Sequence, residues 1–250
     1  MKNLANLIKL SECPRLTEKY KGIAALPLDL PRFELDSADN FWRIWNEEKA
    51  RVDRQHIDRG AVGKSPDKVS KEYTQWDGIA MYEDKEVLGS AAWVTKDSPA
   101  MAESQPAYLK SIFDNLPFVR IRSVRLWSSN CVIPGHYDGN MPASLDGKLR
   151  FPTEIRIMLD DQNPKETFWL APVSQYKPHT TVPDEAKMHV RLPPDTNTFV
   201  WNNEDCIHGA DYDPAYKKIL VVIKGWVDID RLETLLDKSI AKYPDYVVKF

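Results

Sequence analysis

The chain has 250 residues, a formal charge of −3 and an isoelectric point near 6.0. A chain of this length buries about 75% of its unfolded surface, so it does not depend on disulfide bonds. Its 34 basic and 37 acidic residues are interspersed, and no basic run is present that would neutralise a phosphate backbone, which argues against a nucleic-acid partner.

Neither a signal peptide nor a membrane span is indicated by the sequence. Residues 1–16 (MKNLANLIKLSECPRL) are interrupted by lysines and polar residues, and no later stretch approaches ~18 consecutive apolar residues. The three cysteines show no short metal-type spacing. These patterns predict a cytoplasmic protein without a membrane partner.

The N-terminal half has a mixed pattern. We predict a strand at 22–27, a helix at 39–58 behind an Asp39 cap, a polar, lysine-rich loop at 60–80 and a strand at 86–95. Residues 1–100 are therefore expected to form a helical and mixed elaboration, in which the polar loop acts as a lid.

The C-terminal half has the pattern of a β protein. After a predicted helix at 105–115, the run VRIRSVRLWSSNCVI alternates too regularly for a helix. Further strands are predicted at 151–159, 167–171, 187–192, 197–202 and 217–227, and an aspartate-capped amphipathic helix at 229–243. Such strands, with helices outside them, predict a mainly β fold, the double-stranded β-helix or jelly roll. We expect a single domain over 1–250, with the jelly-roll core at 107–227 and a C-terminal helix and tail at 229–250.

A histidine and an aspartate stand two positions apart in NCVIPGHYDGN, at His136 and Asp138. In an extended segment both side chains leave the same face, so two ligands are aimed at one point. A third ligand is available from His208 in NNEDCIHGADYD, downstream of the strand predicted at 197–202. Two histidines and one carboxylate form the facial triad that leaves coordination positions open on a non-haem iron.

Two runs around these residues carry a family resemblance. LKSIFDNLPFVRIRSVRLWSSNCVIPGHYDGN resembles the core of the aspartyl/asparaginyl β-hydroxylase-like group of iron(II)- and 2-oxoglutarate-dependent dioxygenases, which includes small proline hydroxylases. In that group a helix and an LP turn lead into a strand, a PG-like turn and then H-x-D. FVWNNEDCIHGADYDPAYKKILVVIKGWVD is similar to the second half, where a basic residue heads a hydrophobic strand. The resemblance covers roughly residues 107 to 227.

This resemblance implies that His136, Asp138 and His208 bind Fe(II), and that 2-oxoglutarate and O2 are cosubstrates. Members of the group usually carry an arginine ten positions past the distal histidine, which pairs with the distal carboxylate of 2-oxoglutarate. Lys218 stands at that position, and lysine is a point charge without the bidentate fork of a guanidinium. A second basic contact is therefore expected.

Two arginines are candidates for that second contact. Arg156 lies in the strand predicted at 151–159, and Arg125 precedes His136 by eleven residues. A solvated sheet face is the alternative for both arginines. Lys217 also competes with Lys218, because strand parity does not separate adjacent lysines.

The implied reaction is hydroxylation of an unactivated C–H bond, with release of succinate and CO2. The carboxylate of Asp138 argues against halogenation, since halogenating relatives have a small residue there. We expect a small-molecule substrate, a free amino acid or a derivative of one. Glu154 would then accept hydrogen bonds from its ammonium group and an arginine would pair with its carboxylate, although a self-contained Glu–Arg pair is the alternative. Trp127 and Trp201 are expected to wall the pocket or to pack the core.

Three other functions are compatible with the sequence. Some members of the resembling group act on protein side chains, so a protein aspartyl/asparaginyl or prolyl hydroxylase is one alternative. A cupin-like metalloenzyme that does not use 2-oxoglutarate is another, and the basic Lys218 counts against it. A non-catalytic jelly-roll binding module would require a chance triad. The oligomeric state is not indicated by the sequence.

Overall fold

The computed structural model describes residues 13–33, 76–83, 114–129, 132–137, 151–159, 168–211 and 218–250, of which 76–83, 125–129 and 218–219 are described by their backbone alone. The helices in these ranges are α1 (Pro14–Lys19) and α2 (Ile229–Lys242), and 3-10 turns lie at Asp184–Ala186 and Pro244–Tyr246. The strands are β1 (Ile23–Pro27), β2 (Trp76–Glu83), β3 (Phe118–Ser129), β4 (Ile133–His136), β5 (Phe151–Met158), β6 (Phe168–Pro172), β7 (Met188–His189), β8 (Thr198–Trp201), β9 (Cys206–Ala210), β10 (Lys218–Val227) and β11 (Val248–Lys249).

These strands form two antiparallel sheets. The larger sheet has the order β11-β1-β8-β5-β10-β3-β2, and the smaller has the order β4-β9-β6-β7. Between β3 and β10 the chain passes back and forth between the sheets. The larger sheet contains β3, β5, β8 and β10, and the smaller contains β4, the consecutive strands β6 and β7, and β9. This arrangement is a jelly roll. The mainly β, double-stranded β-helix fold predicted from the sequence is confirmed.

The outer face of the larger sheet is covered by both helices. Alternate β-branched residues of β5 and β10 pack there against leucines of α1 and α2; the cluster includes Ile155, Ile157, Val221, Ile223, Leu16, Leu232 and Leu236. The helix α2 begins after Asp228, whose carboxylate accepts hydrogen bonds from the backbone N–H groups of Asp230 and Arg231. Helix packing therefore lies outside the roll and leaves its interior to the two sheets.

The interior of the roll is lined by the opposite set of side chains. Phe168 and Leu170 of the smaller sheet meet Phe199 and Trp201 of the larger sheet, together with Cys206. Strand parity accounts for this segregation, because successive side chains point to opposite faces of a sheet. A side chain with the parity of Phe168 or Trp201 consequently faces the space between the sheets.

Several predicted elements differ from the structure. The predicted loop at 60–80 is wrong for residues 76–80, which belong to β2 and pair with β3. The strand predicted at 187–192 shrinks to β7, because this edge strand pairs only with Trp169 and Leu170 before two prolines follow. The helix at 39–58, the strand at 86–95 and most of the helix at 105–115 lie outside the described residues.

In the part of the chain that is described, no helix is long and apolar enough to cross a membrane.

Candidate metal centre

Two histidines from distant stretches of sequence lie side by side in the smaller sheet. His136 ends β4 and pairs directly with His208 in the middle of β9. Their ring centroids are 4.3 Å apart at an interplanar angle of 48°, and both residues are buried. His208 also pairs with Leu170 of β6, which places it on the inner face of the sheet. The predicted convergence of these two imidazoles is present.

Hydrogen bonds to the two rings indicate which nitrogen of each carries the proton. His136 Nδ1 lies 2.8 Å from Pro134 O, and His208 Nδ1 lies 3.0 Å from Asn203 Oδ1. A carbonyl oxygen only accepts hydrogen bonds, so the neutral rings carry their proton on Nδ1 and donate it. Each Nε2 then keeps a lone pair, which is the arrangement of metal-binding histidines with an outer hydrogen-bond partner. The two donors fit a divalent transition metal.

The third predicted ligand, Asp138, lies outside the described residues, one position beyond Tyr137. Within the described ranges no group of three His, Cys, Asp or Glu side chains is arranged to hold a metal ion. The triad of His136, Asp138 and His208 therefore stays a prediction that depends on Asp138.

Aromatic rings surround His208 inside the roll. The ring centroid of Trp201 lies 5.5 Å from that of His208 at an interplanar angle of 65°, and that of Phe168 lies 5.7 Å away. Phe199 contacts both of these rings, with centroids 5.4 and 5.9 Å apart. Close by in sequence, burial raises the pKa of the Cys206 thiol, so this residue is a small apolar filler of the wall. Among the described residues, aromatic rings therefore form one wall beside His208.

Arg156 lies against the same aromatic rings. Its Cζ atom is 4.2 Å from the Trp201 ring centroid and 4.6 Å from the Phe168 centroid. Its Nε donates to Glu154 Oε1 at 3.0 Å, and Glu154 Oε2 lies 2.8 Å from Lys224 Nζ. The Glu154 side chain is 0% exposed, compared with 12% for Arg156 and 19% for Lys224. Glu154 therefore forms ion pairs with both Arg156 and Lys224, and its predicted role in substrate binding stays a prediction.

The other predicted basic residues can be placed by backbone register. Val222 of β10 pairs with Arg156 on one side and with Arg125 on the other, so the three positions form one row across the sheet. Lys218 pairs with Ser129 at the start of β10, and Trp127 pairs with Leu220. The side chains of Lys218, Arg125 and Trp127 are outside the described part of the structure.

The chain is similar to solved structures of low sequence identity, two of which are given below. No protein-family model matches the chain, and the search of curated proteins gives no match. A prolyl hydroxylase from Trichoplax adhaerens, in complex with a hypoxia inducible factor oxygen degradation domain peptide fragment, is 12% identical with a TM-score of 0.43, covering 90% of this chain and 92% of that one. AviO1 from Streptomyces viridochromogenes Tue57 is 15% identical with a TM-score of 0.37, covering 90% of this chain and 97% of that one. At these TM-scores no residue role is transferred from either protein.

Two site residues escaped the sequence interpretation. Lys224 interrupts the apolar run ILVVIKGWV, and a lysine in the middle of a hydrophobic strand indicates a buried ion pair. That signal could have identified it. Asn203 carries no comparable signal, because asparagines are ordinary residues in a turn such as WNNED.

On the outer face of the smaller sheet, the Trp169 side chain packs over Gly135 and Gly209, the glycines next to His136 and His208. Trp169 pairs with Gly209, and a Cβ atom built on Gly135 would lie 3.0 Å from its ring. A Cβ atom on Gly209 would meet the same ring and would lie 2.6 Å from the carbonyl oxygen of Ile133. Both glycines therefore allow the close packing that holds β4 and β9 together.

The Gly209→Ala variant is expected to lower the free energy of unfolding by about 1–3 kcal/mol, because the added methyl group would overlap the buried Trp169 ring and the backbone carbonyl of Ile133. Urea denaturation followed by circular dichroism measures this change. A variant as stable as the wild type would show that β4 and β9 are not packed as described.

Proposed function

We propose that the protein is a non-haem iron(II)- and 2-oxoglutarate-dependent oxygenase that hydroxylates an unactivated C–H bond of a small molecule, a free amino acid or a derivative. Succinate and CO2 are the other products. His136, Asp138 and His208 would hold the iron, which together with 2-oxoglutarate supplies the activation of O2.

One observation carries this proposal: the buried cross-strand pair of His136 and His208, with both Nδ1 atoms in hydrogen bonds. Two imidazoles side by side on one sheet, each oriented through Nδ1, supply two adjacent nitrogen donors for one metal ion. With Asp138 two positions after His136, the donors would number three, and three positions of an octahedral ion would stay open. That number suits a bidentate 2-oxo acid and O2.

The basic residues support a dicarboxylate cosubstrate. Arg156 and His208 contact the same two rings, Phe168 and Trp201, so a guanidinium lies near the histidine pair. We propose that Arg156, with Lys218 and Arg125, binds the carboxylate of 2-oxoglutarate that is remote from the metal. Arg125 and Arg156 occupy positions in one row of the sheet, which is consistent with a shared ligand.

The remaining residues would bind substrate and exclude water. The rings of Phe168, Phe199 and Trp201 keep the interior apolar, which strengthens electrostatic contacts made inside it. Trp201 and Trp127 are proposed as walls of the substrate pocket. Glu154 is proposed as the acceptor of a substrate ammonium, a role that would have to be shared with its ion pairs to Arg156 and Lys224.

The test is a succinate assay with purified protein, Fe(II), ascorbate and 2-oxoglutarate under air, with and without a panel of free amino acids and short peptides. We expect succinate above a metal-free control, increased by at least one amino acid. Stimulation by peptides alone would favour a protein side-chain hydroxylase. Bound iron with no succinate in any mixture would contradict the proposal and favour a cupin-like enzyme, and failure to bind iron would favour a binding module.

A further inference from the structure

The two histidines are held in different ways. The Nδ1 atom of His136 donates to a main-chain carbonyl, that of Pro134, two residues earlier in the same strand. The Nδ1 atom of His208 instead contacts a side chain, that of Asn203, which lies five residues earlier. One of the two contacts can therefore be changed by substitution, whereas the other belongs to the backbone.

Asn203 lies in a turn that is tied to both sheets. This turn joins β8 of the larger sheet to β9 of the smaller sheet, and Asn202 N donates to Ala24 O of β1 at 2.8 Å. On the other side, Val173 N, directly after β6, donates to Asp205 O at 2.9 Å. The position of Asn203 is thus fixed from two directions.

The neighbouring asparagine closes the turn. Asn202 Oδ1 accepts hydrogen bonds from the backbone N–H groups of Glu204 at 2.9 Å and Asp205 at 3.1 Å, and its Nδ2 donates to Asp205 Oδ2 at 2.9 Å. This is an Asx turn, a local structure that asparagine side chains favour. The side-chain amide of Asn202 thus makes its hydrogen bonds within the turn, whereas the side-chain amide of Asn203 contacts His208.

The orientation of the Asn203 amide decides what His208 can do. With Oδ1 toward the ring, His208 must donate from Nδ1, and Nε2 keeps its lone pair. With the amide reversed, its NH2 group would donate to Nδ1, and the ring proton would move to Nε2 and block it. Asn203 is fully buried, and its Nδ2 has no hydrogen-bond partner among the described residues. Asn203 Oδ1 therefore accepts the hydrogen bond from His208, while Asn203 Nδ2 makes no hydrogen bond within the described part of the chain.

We propose that Asn203 is a positioning residue, which sets the tautomer and the ring orientation of His208 so that Nε2 faces the metal. This role rests on the proposed function, because it assumes a metal bound to His208. Outer hydrogen-bond partners of metal-bound histidines typically contribute 10- to 100-fold in metal affinity.

Two substitutions test the role. Asn203→Leu keeps the approximate volume and removes the acceptor, while Asn203→Asp keeps an acceptor oxygen. In metal-free protein with 15N-labelled histidine, above about pH 7.5 where imidazole is neutral, long-range 1H–15N spectra report the tautomer of each ring. Co(II) affinity is measured separately by competition with a chelator.

We expect the Nδ1–H tautomer for His136 and His208 in the wild type and in Asn203→Asp. In Asn203→Leu, His208 should lose this preference while His136 keeps it, and Co(II) affinity should fall by about 10- to 100-fold. An Nε2–H tautomer of His208 in the wild type would overturn the role of Asn203, as would Asn203→Leu with both tautomer and affinity unchanged. A wild type with the expected tautomers that binds no Co(II) would overturn the proposed function. The spectra of Asn203→Leu would in that case still test whether Asn203 sets the tautomer of His208.

Discussion

The His208→Ala variant is expected to lose Fe(II) affinity by more than about 100-fold, beyond the loss that removal of an outer hydrogen-bond partner causes. Succinate formation should disappear with it. The reason is that His208 and His136 form a direct cross-strand pair, so the substitution removes one of two adjacent nitrogen donors. Equilibrium dialysis against Fe(II) under anaerobic conditions measures the affinity.

The matched control is His189→Ala. His189 belongs to the same sheet but pairs with Trp169, whose side chain packs in the outer cluster. Its substitution should leave Fe(II) affinity unchanged. If His208→Ala bound Fe(II) as the wild type does, or if His189→Ala lost it equally, the histidine pair would not be the metal site.

A second large effect is expected for Glu154→Gln, which removes a buried negative charge and keeps the volume of the side chain. Arg156 and Lys224 would then lose a shared counterion inside the roll, where water cannot fully replace it. Breaking a buried ion pair by removing one partner typically costs about 3–5 kcal/mol. Urea denaturation should show a loss of that size in the free energy of unfolding.

Glu233→Gln provides the control, because Glu233 also lies between an arginine and a lysine, Arg15 and Lys19. These two cations are 51% and 40% exposed, so water screens their charges. The control should therefore lose much less stability than Glu154→Gln. Equal losses from both substitutions would mean that the Glu154 carboxylate is not in a low-dielectric interior.

Strand alternation made much of the fold predictable. The apolar and β-branched runs at 151–159, 197–202 and 217–227 correspond to β5, β8 and β10, and the helix after Asp228 begins where its cap indicates. β2 was missed because 60–80 was treated as one polar stretch, although its last residues belong to the largely apolar strand WDGIAMYE, which pairs with β3. Pairing between distant segments has no local signature.

The histidine pair was predictable in part. The H-x-D spacing and a downstream histidine indicate candidate ligands, yet β9 itself was not predicted, because CIHGA is short and contains a glycine. Its strand conformation comes from its place between β4 and β6, with Trp169 packed over Gly209. The ion pair between Glu154 and Lys224 was equally hidden, since it joins neighbouring strands that are far apart in sequence.

The most direct test of the metal centre is anomalous diffraction from crystals grown anaerobically with Fe(II), recorded above and below the iron absorption edge. We predict one iron peak in contact with Nε2 of His136, Nε2 of His208 and a carboxylate oxygen of Asp138. A peak at another place in the chain, or coordination that omits His208, would contradict the assignment.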